Sequence, residues 1–131
     1  MELLILEEEF SICNLKDYSK IDISRPFVFT GSTDEEKSLV CPTRLVPVGT
    51  LDRSDGWRGF RIEGVLDFSM VGVLAGISDV LARNDIGIFA VSTFNTDYLF
   101  TKAEQFEKAL RVLELSGCTI NIQHPINQKV R

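Results

Sequence analysis

Residues 57–123 predict an α+β fold of the ferredoxin-like type, with two helices on one face of a four-stranded antiparallel sheet. Two observations carry this: a pair of apolar stripes at helical spacing, and four short stretches of strand-like pattern. Their order is strand, helix, strand, strand, helix, strand. Trp57 to Val65 is the first strand, with Phe60 and Ile62 on one face and Arg61 and Glu63 on the other. Asp67-Phe68-Ser69 supplies side-chain oxygens suited to a helix start. Met70, Leu74, Ile77 and Leu81 then form one helix stripe, and Asn84-Asp85 with Gly87 end it. Ile86 to Thr93 is apolar on both faces and is expected to be central in a covered sheet. After the short link Phe94-Asn95-Thr96, Asp97 to Thr101 is the third strand. Thr101-Lys102-Ala103-Glu104 has the capping-box form, which predicts Thr101 as the cap of a second helix. Phe106, Leu110 and Leu113 are its buried stripe, Gly117 its stop, and Cys118 to Ile122 the last strand.

Residues 1–53 carry less helix signal. Leu3 to Leu6 and Phe10 to Leu15 read as extended, with Glu7-Glu8-Glu9 between them. Three adjacent acids on extended chain point to alternating faces, so this is a solvated turn or edge rather than a metal cluster. Phe27-Val28-Phe29 and Leu39-Val40-Cys41 are further short apolar runs, and Cys41-Pro42-Thr43-Arg44-Leu45 suits a single helical turn. Gly49 to Gly56, containing Asp52-Arg53-Ser54-Asp55, is the best linker candidate. The expected organisation is a smaller, degenerate counterpart over 1–53, which shares its sheet or helices with the domain over 57–123. Residues 124–131 form a tail.

Composition removes several functions. The 131 residues, 44% hydrophobic and 25% charged, suit one domain or two very small ones sharing a core. A net charge of −5 argues against nucleic acid and anionic membrane surfaces as partners, because phosphate binding needs a basic face. No apolar run approaches the roughly 20 residues of a membrane helix. The start Met1-Glu2-Leu3-Leu4 has no basic residue and runs into acid, so it reads as neither signal peptide nor anchor, and a cytoplasmic protein is expected. Cys13, Cys41 and Cys118 are odd in number and outside C-x-x-C spacing, which suggests reduced thiols and no metal. His124 is the sole histidine and lies in the tail, a poor place for a positioned base. No catalytic residue is assigned. No G-x-G-x-x-G, Walker or H-E-x-x-H pattern occurs, so no cofactor is expected.

Two segments stand out as candidate binding elements. One is the strand-to-helix turn Leu66-Asp67-Phe68-Ser69-Met70-Val71-Gly72-Val73-Leu74-Ala75-Gly76-Ile77. The other is Gly87-Ile88-Phe89-Ala90-Val91-Ser92-Thr93-Phe94 with Asn95-Thr96-Asp97-Tyr98-Leu99-Phe100-Thr101-Lys102. A helix N-terminus presents unpaired N–H groups and positive dipole to an anion. Gly72 and Gly76, one turn apart, allow a backbone or ligand to approach closely.

These segments resemble the ACT-domain family of small-molecule regulatory modules, and more narrowly the stand-alone tandem ACT proteins, similar to the CASTOR-type arginine sensors and the aspartate-kinase regulatory modules. The resemblance covers 57–121 strongly and 1–53 more weakly, through Ser38-Leu39-Val40-Cys41-Pro42. It implies a free amino acid held between ACT modules, without catalysis; separately, the sheet edges of such small units tend to pair, so a homodimer or other homo-oligomer is expected. By the same resemblance Ser69, Met70, Val71 and Gly72 meet the ligand carboxylate, with Asp67 beside them. Phe89, Ala90 and Val91 line the ligand through their backbone, and Thr96 with Asp97 stand beside it, Asp97 facing its cationic end. Each residue also has a plain structural role open to it. Asp67 and Ser69 suit a helix cap, Phe89 and Val91 a core, and Asp97 a turn.

Overall fold

The computed structural model describes residues 1–63 and 72–122. In chain order the strands are β1 (Glu2–Ile5), β2 (Phe10–Leu15), β3 (Phe29–Ser32), β4 (Lys37–Pro42), β5 (Asp52–Ile62), β6 (Ile88–Ser92), β7 (Asp97–Lys102) and β8 (Thr119–Ile122). The helices are α1 (Val73–Arg83) and α2 (Ala103–Leu115), and Thr43–Leu45 is one 3₁₀ turn. The chain divides into two compact units, Met1–Glu7 with Arg58–Arg131, and Glu8–Trp57.

In the first unit the strand order is β8-β1-β5-β7-β6. The β-α-β-β-α-β order expected from sequence is present, but the sheet is not four-stranded. β1 lies between the first and last strands of the pattern, antiparallel to β5 (Leu3 opposite Ile62) and parallel to β8 (Leu3 opposite Ile120). A strand as short as β1 persists because both its edges are hydrogen-bonded and Leu3 is fully buried. The helices pack on one face of this sheet. Leu3, Phe60, Ile62 and Leu99 from the strands meet Ile77 and Leu81 of α1 and Phe106 and Leu113 of α2, all at most 6% exposed. Of the apolar stripes read from sequence, Leu74, Ile77 and Leu81 and then Phe106, Leu110 and Leu113 face this core, joined by Ala109, while Met70 lies outside the described residues.

Both helices end in the same way. Asp85 N–H donates to the Ala82 carbonyl and Ile86 N–H to that of Leu81, while Gly117 and Cys118 repeat the pattern on Glu114 and Leu113. This closure needs a left-handed residue just past the helix. Gly117 takes it at φ 113, and Asp85 takes it at φ 61, a conformation that short polar side chains tolerate.

Three details differ from the sequence expectations. β6 is an edge strand among the described residues, pairing with β7 alone. Its apolar character on both faces has two separate causes. Ile88 packs against the helix-side core, whereas Phe89, on the other face, stacks on Phe100 at 4.8 Å and 15°. Thr101 does not cap α2. It is a fully buried β7 residue whose hydroxyl donates to the Lys102 carbonyl (3.1 Å), and the N-cap position falls to Lys102 with no side-chain cap. The strand runs straight into the helix, so Thr101 is held in the pleat. Finally, residues 52–56 are not a linker but the first half of β5. Arg53 and Asp55, two apart on one strand face, form an ion pair at 3.0 Å, a polar alternation that reads in sequence like a linker.

The Glu8–Trp57 unit has the strand order β3-β4-β2-β5. Phe10 pairs with Trp57 but Ile12 with Ser54, so β5 carries one extra residue there. Gly56, at φ 82, absorbs it as a bulge. Beside the bulge, fully buried Ser11 donates to Asp55 Oδ1 at 2.6 Å, which leaves the Thr43 hydroxyl to donate to Ser11 Oγ at 2.9 Å. Cys13, Leu15, Leu39 and Cys41 form the core of this unit.

Two outcomes are expected. A Cβ on Gly59 would lie 2.6 Å from the Phe100 ring and 3.1 Å from the Leu99 carbonyl. Gly59→Ala should therefore cost about 1–3 kcal/mol in urea unfolding, with part recovered in Gly59→Ala/Phe100→Leu. Burial, with neighbouring Cys13 adding and Arg53 opposing, pushes the Cys41 thiol up to about 12 from 9.0. The unfolded chain then loses this proton before the folded one does. Stability should fall from about pH 9 towards 12, by up to about 1.4 kcal/mol per pH unit. Cys41→Ala should flatten that slope in pH-dependent urea titrations.

Candidate functional site

Of the residues singled out for ligand binding, Asp67, Ser69, Met70 and Val71 lie outside the described residues. Gly72 is the N-cap of α1, at φ 87, exposed, with its carbonyl accepting from Gly76 N–H at 2.8 Å. Among the described residues no side chain caps this end and no acid occupies its first turn. No described atom lies within 4 Å of where a Cβ would stand on Gly72 or Gly76. Neither glycine is therefore held there by close packing of helix on sheet. The left-handed φ explains Gly72, because residues with a Cβ are strained in that conformation.

The β6–β7 hairpin gathers the remaining candidates. Phe89 and Val91 share the sheet face turned away from the helices, opposite Phe100 and Tyr98, and Ala90 lies on the helix face opposite Leu99. Phe89 is half-buried in its stack on Phe100, and Ala90 is exposed. At the turn, Thr93 N–H and Thr93 Oγ1 both donate to the Thr96 carbonyl at 2.9 Å. Thr96 is 7% exposed, and its hydroxyl donates to the Ile62 carbonyl at 2.8 Å, tying the turn to the end of β5. Asp97 is half-buried and accepts from Ser92 Oγ at 2.5 Å across the first pair of the hairpin.

Sequence reasoning left out the neighbouring Arg61. On β5 it donates from Nε to Glu63 (3.0 Å) and from Nη1 to the Tyr98 hydroxyl (3.4 Å). Burial works against its charge, yet the bonds with Tyr98 and Glu63 hold its pKa above the usual value. The alternation of Phe60 and Ile62 with Arg61 and Glu63 places Arg61 away from the core, but contains no sign that Tyr98 stands beside it. Alternation puts Arg61 and Tyr98 on the sheet face turned away from the helices and Asp97 on the other, so the fold does not bring this cation and this carboxylate together. Among the described residues no group of three or more His, Cys, Asp or Glu is placed to hold a metal ion. No described helix is long and apolar enough to cross a membrane.

A family model for the ACT domain matches residues 52–114. Atu0741 from Agrobacterium tumefaciens is 30% identical, with a TM-score of 0.83 over 94% of this chain and 93% of that one. This chain belongs to the ACT-domain family. At 15% identity the ACT fold also relates it to the ligand-free regulatory subunit of aspartate kinase from Thermus thermophilus, with a TM-score of 0.60 over 88% of this chain and 97% of that chain. VC0802 from Vibrio cholerae, described as a possible transport protein, is likewise 15% identical, with a TM-score of 0.68 over 87% and 88% of the two chains. No curated protein matches the sequence significantly.

Thr96→Val keeps the shape of an ACT hairpin residue and removes its hydroxyl. The Ile62 carbonyl then loses a buried donor, and unfolding by urea should show a cost of about 1–3 kcal/mol, with Thr96→Ser much closer to the parent.

Proposed function

We propose that this protein is a non-catalytic regulatory module that binds a free amino acid at an interface between ACT modules. The observation that supports it most is the start of α1. That end of the helix opens on an exposed glycine, and among the described residues neither a side-chain cap nor a first-turn acid offsets its positive end. A ligand carboxylate would complete it, received by Gly72 and the preceding Asp67, Ser69, Met70 and Val71. Phe89, Ala90 and Val91 would line the ligand, with Thr96 and Asp97 towards its ammonium group. Residues 1–53 would act as a short ACT-like counterpart to 57–123, in a cytoplasmic homodimer. The regulatory part of the reading also draws on the aspartate-kinase regulatory subunit among the structures of like fold.

One observation favours a second reading, a ligand-free interaction module with the same fold. Thr96 and Asp97 each already hold a hydrogen bond inside the unit, to Ile62 and Ser92. A thermal-shift series over the common amino acids separates the two. On the first reading one of them raises the melting temperature, by about 2.7 kcal/mol of stabilisation at a hundredfold excess over Kd. Asp97→Ala should abolish that rise. No shift with any amino acid, together with an unchanged elution volume in size exclusion, would leave the interaction module standing.

A further inference from the structure

In the Glu8–Trp57 unit two loops, residues 16–20 after β2 and 47–49 before β5, line a cavity of about 210 Å³. Leu15, the buried last residue of β2, is its floor. Leu51 N–H donates to the Asn14 carbonyl at 2.9 Å, which ties the second loop to the end of the same strand. Pro47 and Val48 supply an apolar wall, and Val48, at 78%, is the most exposed large apolar side chain of this unit. Gly49 turns the chain at φ 79 and brings no side chain to the rim. Lys16 and Lys20 also line the cavity, both exposed. The ion pairs among the described residues engage Arg44, Arg53, Arg61 and Arg83, and leave both lysines out. Asp17, between them in sequence, is already committed through one oxygen. Ser19 Oγ and Ser19 N–H both donate to its Oδ1, at 2.7 and 3.0 Å. These bonds, more than the nearby Lys16 and Lys20, hold its carboxyl below the ordinary carboxylate range, so it is charged at neutral pH.

The cavity therefore carries Lys16 and Lys20 against Asp17, one positive charge in excess, in a protein whose net charge is −5. The overall repulsion does not keep an anion away, because exposed charges more than about 8 Å apart are screened at physiological salt. We propose that this cavity binds a small aliphatic monocarboxylate, its carboxylate at Lys16 and Lys20 and its apolar body on Leu15, Pro47 and Val48. One negative charge matches the excess of one cation, whereas a phosphate dianion would exceed it and meet the Asp17 carboxylate. Ammonium groups on flexible stems can both turn to one carboxylate without a fixed fork. At roughly 30 Å³ for each water the cavity has room for about seven, which suits a ligand of about seven non-hydrogen atoms. Release of that water from Val48 and Leu15 supplies the apolar share of the affinity. The site lies wholly within residues 15–49 and is independent of the amino-acid reading, which rests on the start of α1.

The test is a titration of the whole ¹⁵N-labelled protein with sodium isovalerate at neutral pH, with sodium chloride holding the ionic strength fixed. The amide signals of Lys16, Ser19, Lys20, Val48 and Gly49 should move along one saturating curve, in about the millimolar range expected for so small a ligand. The melting temperature should rise with the same saturation. Lys16→Gln/Lys20→Gln, at two exposed positions, should weaken binding about tenfold, and Val48→Ser about threefold. Asp97→Ala should leave it unchanged, separating this site from the other. Isovaleramide, which keeps the shape without the charge, and acetate, which keeps the charge without the body, should each bind several-fold more weakly. Unmoved signals, equal curves for isovalerate and its amide, or a double lysine variant that titrates like the parent would each overturn the proposal. So would movement of these signals with inorganic phosphate or L-leucine but not with isovalerate.

Discussion

The unit built from Met1–Glu7 and residues 58 onward depends on the placement of one four-residue strand. β1 donates and accepts along both its edges, to β5 on one side and β8 on the other, and its Leu3 is fully buried in the core shared with both helices. Without it β5 and β8 would each expose a row of backbone N–H and C=O groups in the middle of the sheet, where water cannot easily replace the lost partners. The Leu6 N–H bond to the Gly59 carbonyl extends the same attachment by one residue. The orientation of β5, and with it the position of Arg58, Gly59 and Arg61, follows from this pairing.

The hairpin between β6 and β7 is fastened by its own side-chain hydrogen bonds. Thr93 closes the turn on Thr96, Thr96 fastens it to β5 through Ile62, and Ser92 holds the Asp97 carboxylate. Functional groups positioned in this way lose little freedom when a ligand arrives, so more of the contact energy remains as affinity. The start of α1 is built on the opposite plan. Among the described residues its first turn has no side-chain cap, and Gly72 takes a left-handed conformation with no such residue packed on it.

Much of this was legible in the sequence, and the reasons differ by element. The helices could be read because burial on one face prints the spacing Ile77–Leu81 and Phe106–Leu113 directly onto the chain. The place of β6 in the sheet could not, because two-sided apolar character arises equally from a central position and from a stacked aromatic pair such as Phe89 with Phe100. The first half of β5 was hidden because Arg53 and Asp55 pair across one strand face while keeping the polarity of a linker. The capping pattern at Thr101 was present in the residues but overruled by the strand that holds it. Of the site, Gly72, Thr96 and Asp97 were visible as motif residues. The hydrogen bonds of Thr96 and Asp97 were not, since their partners Ile62 and Ser92 are identified only by the folded register.

The pairing of β1 also bears on how the chain is made. Glu2–Ile5 is made before its neighbours Phe60–Ile62 and Thr119–Ile122, so the segment waits until both have followed before its two edges can pair. During that interval Leu3, Leu4 and Ile5 are an unshielded β-prone stretch, with Glu7, Glu8 and Glu9 just behind as charged gatekeepers against self-association. Contacts so distant along the chain make closure of this sheet a late and slow event. The acidic run is well placed to protect the nascent protein.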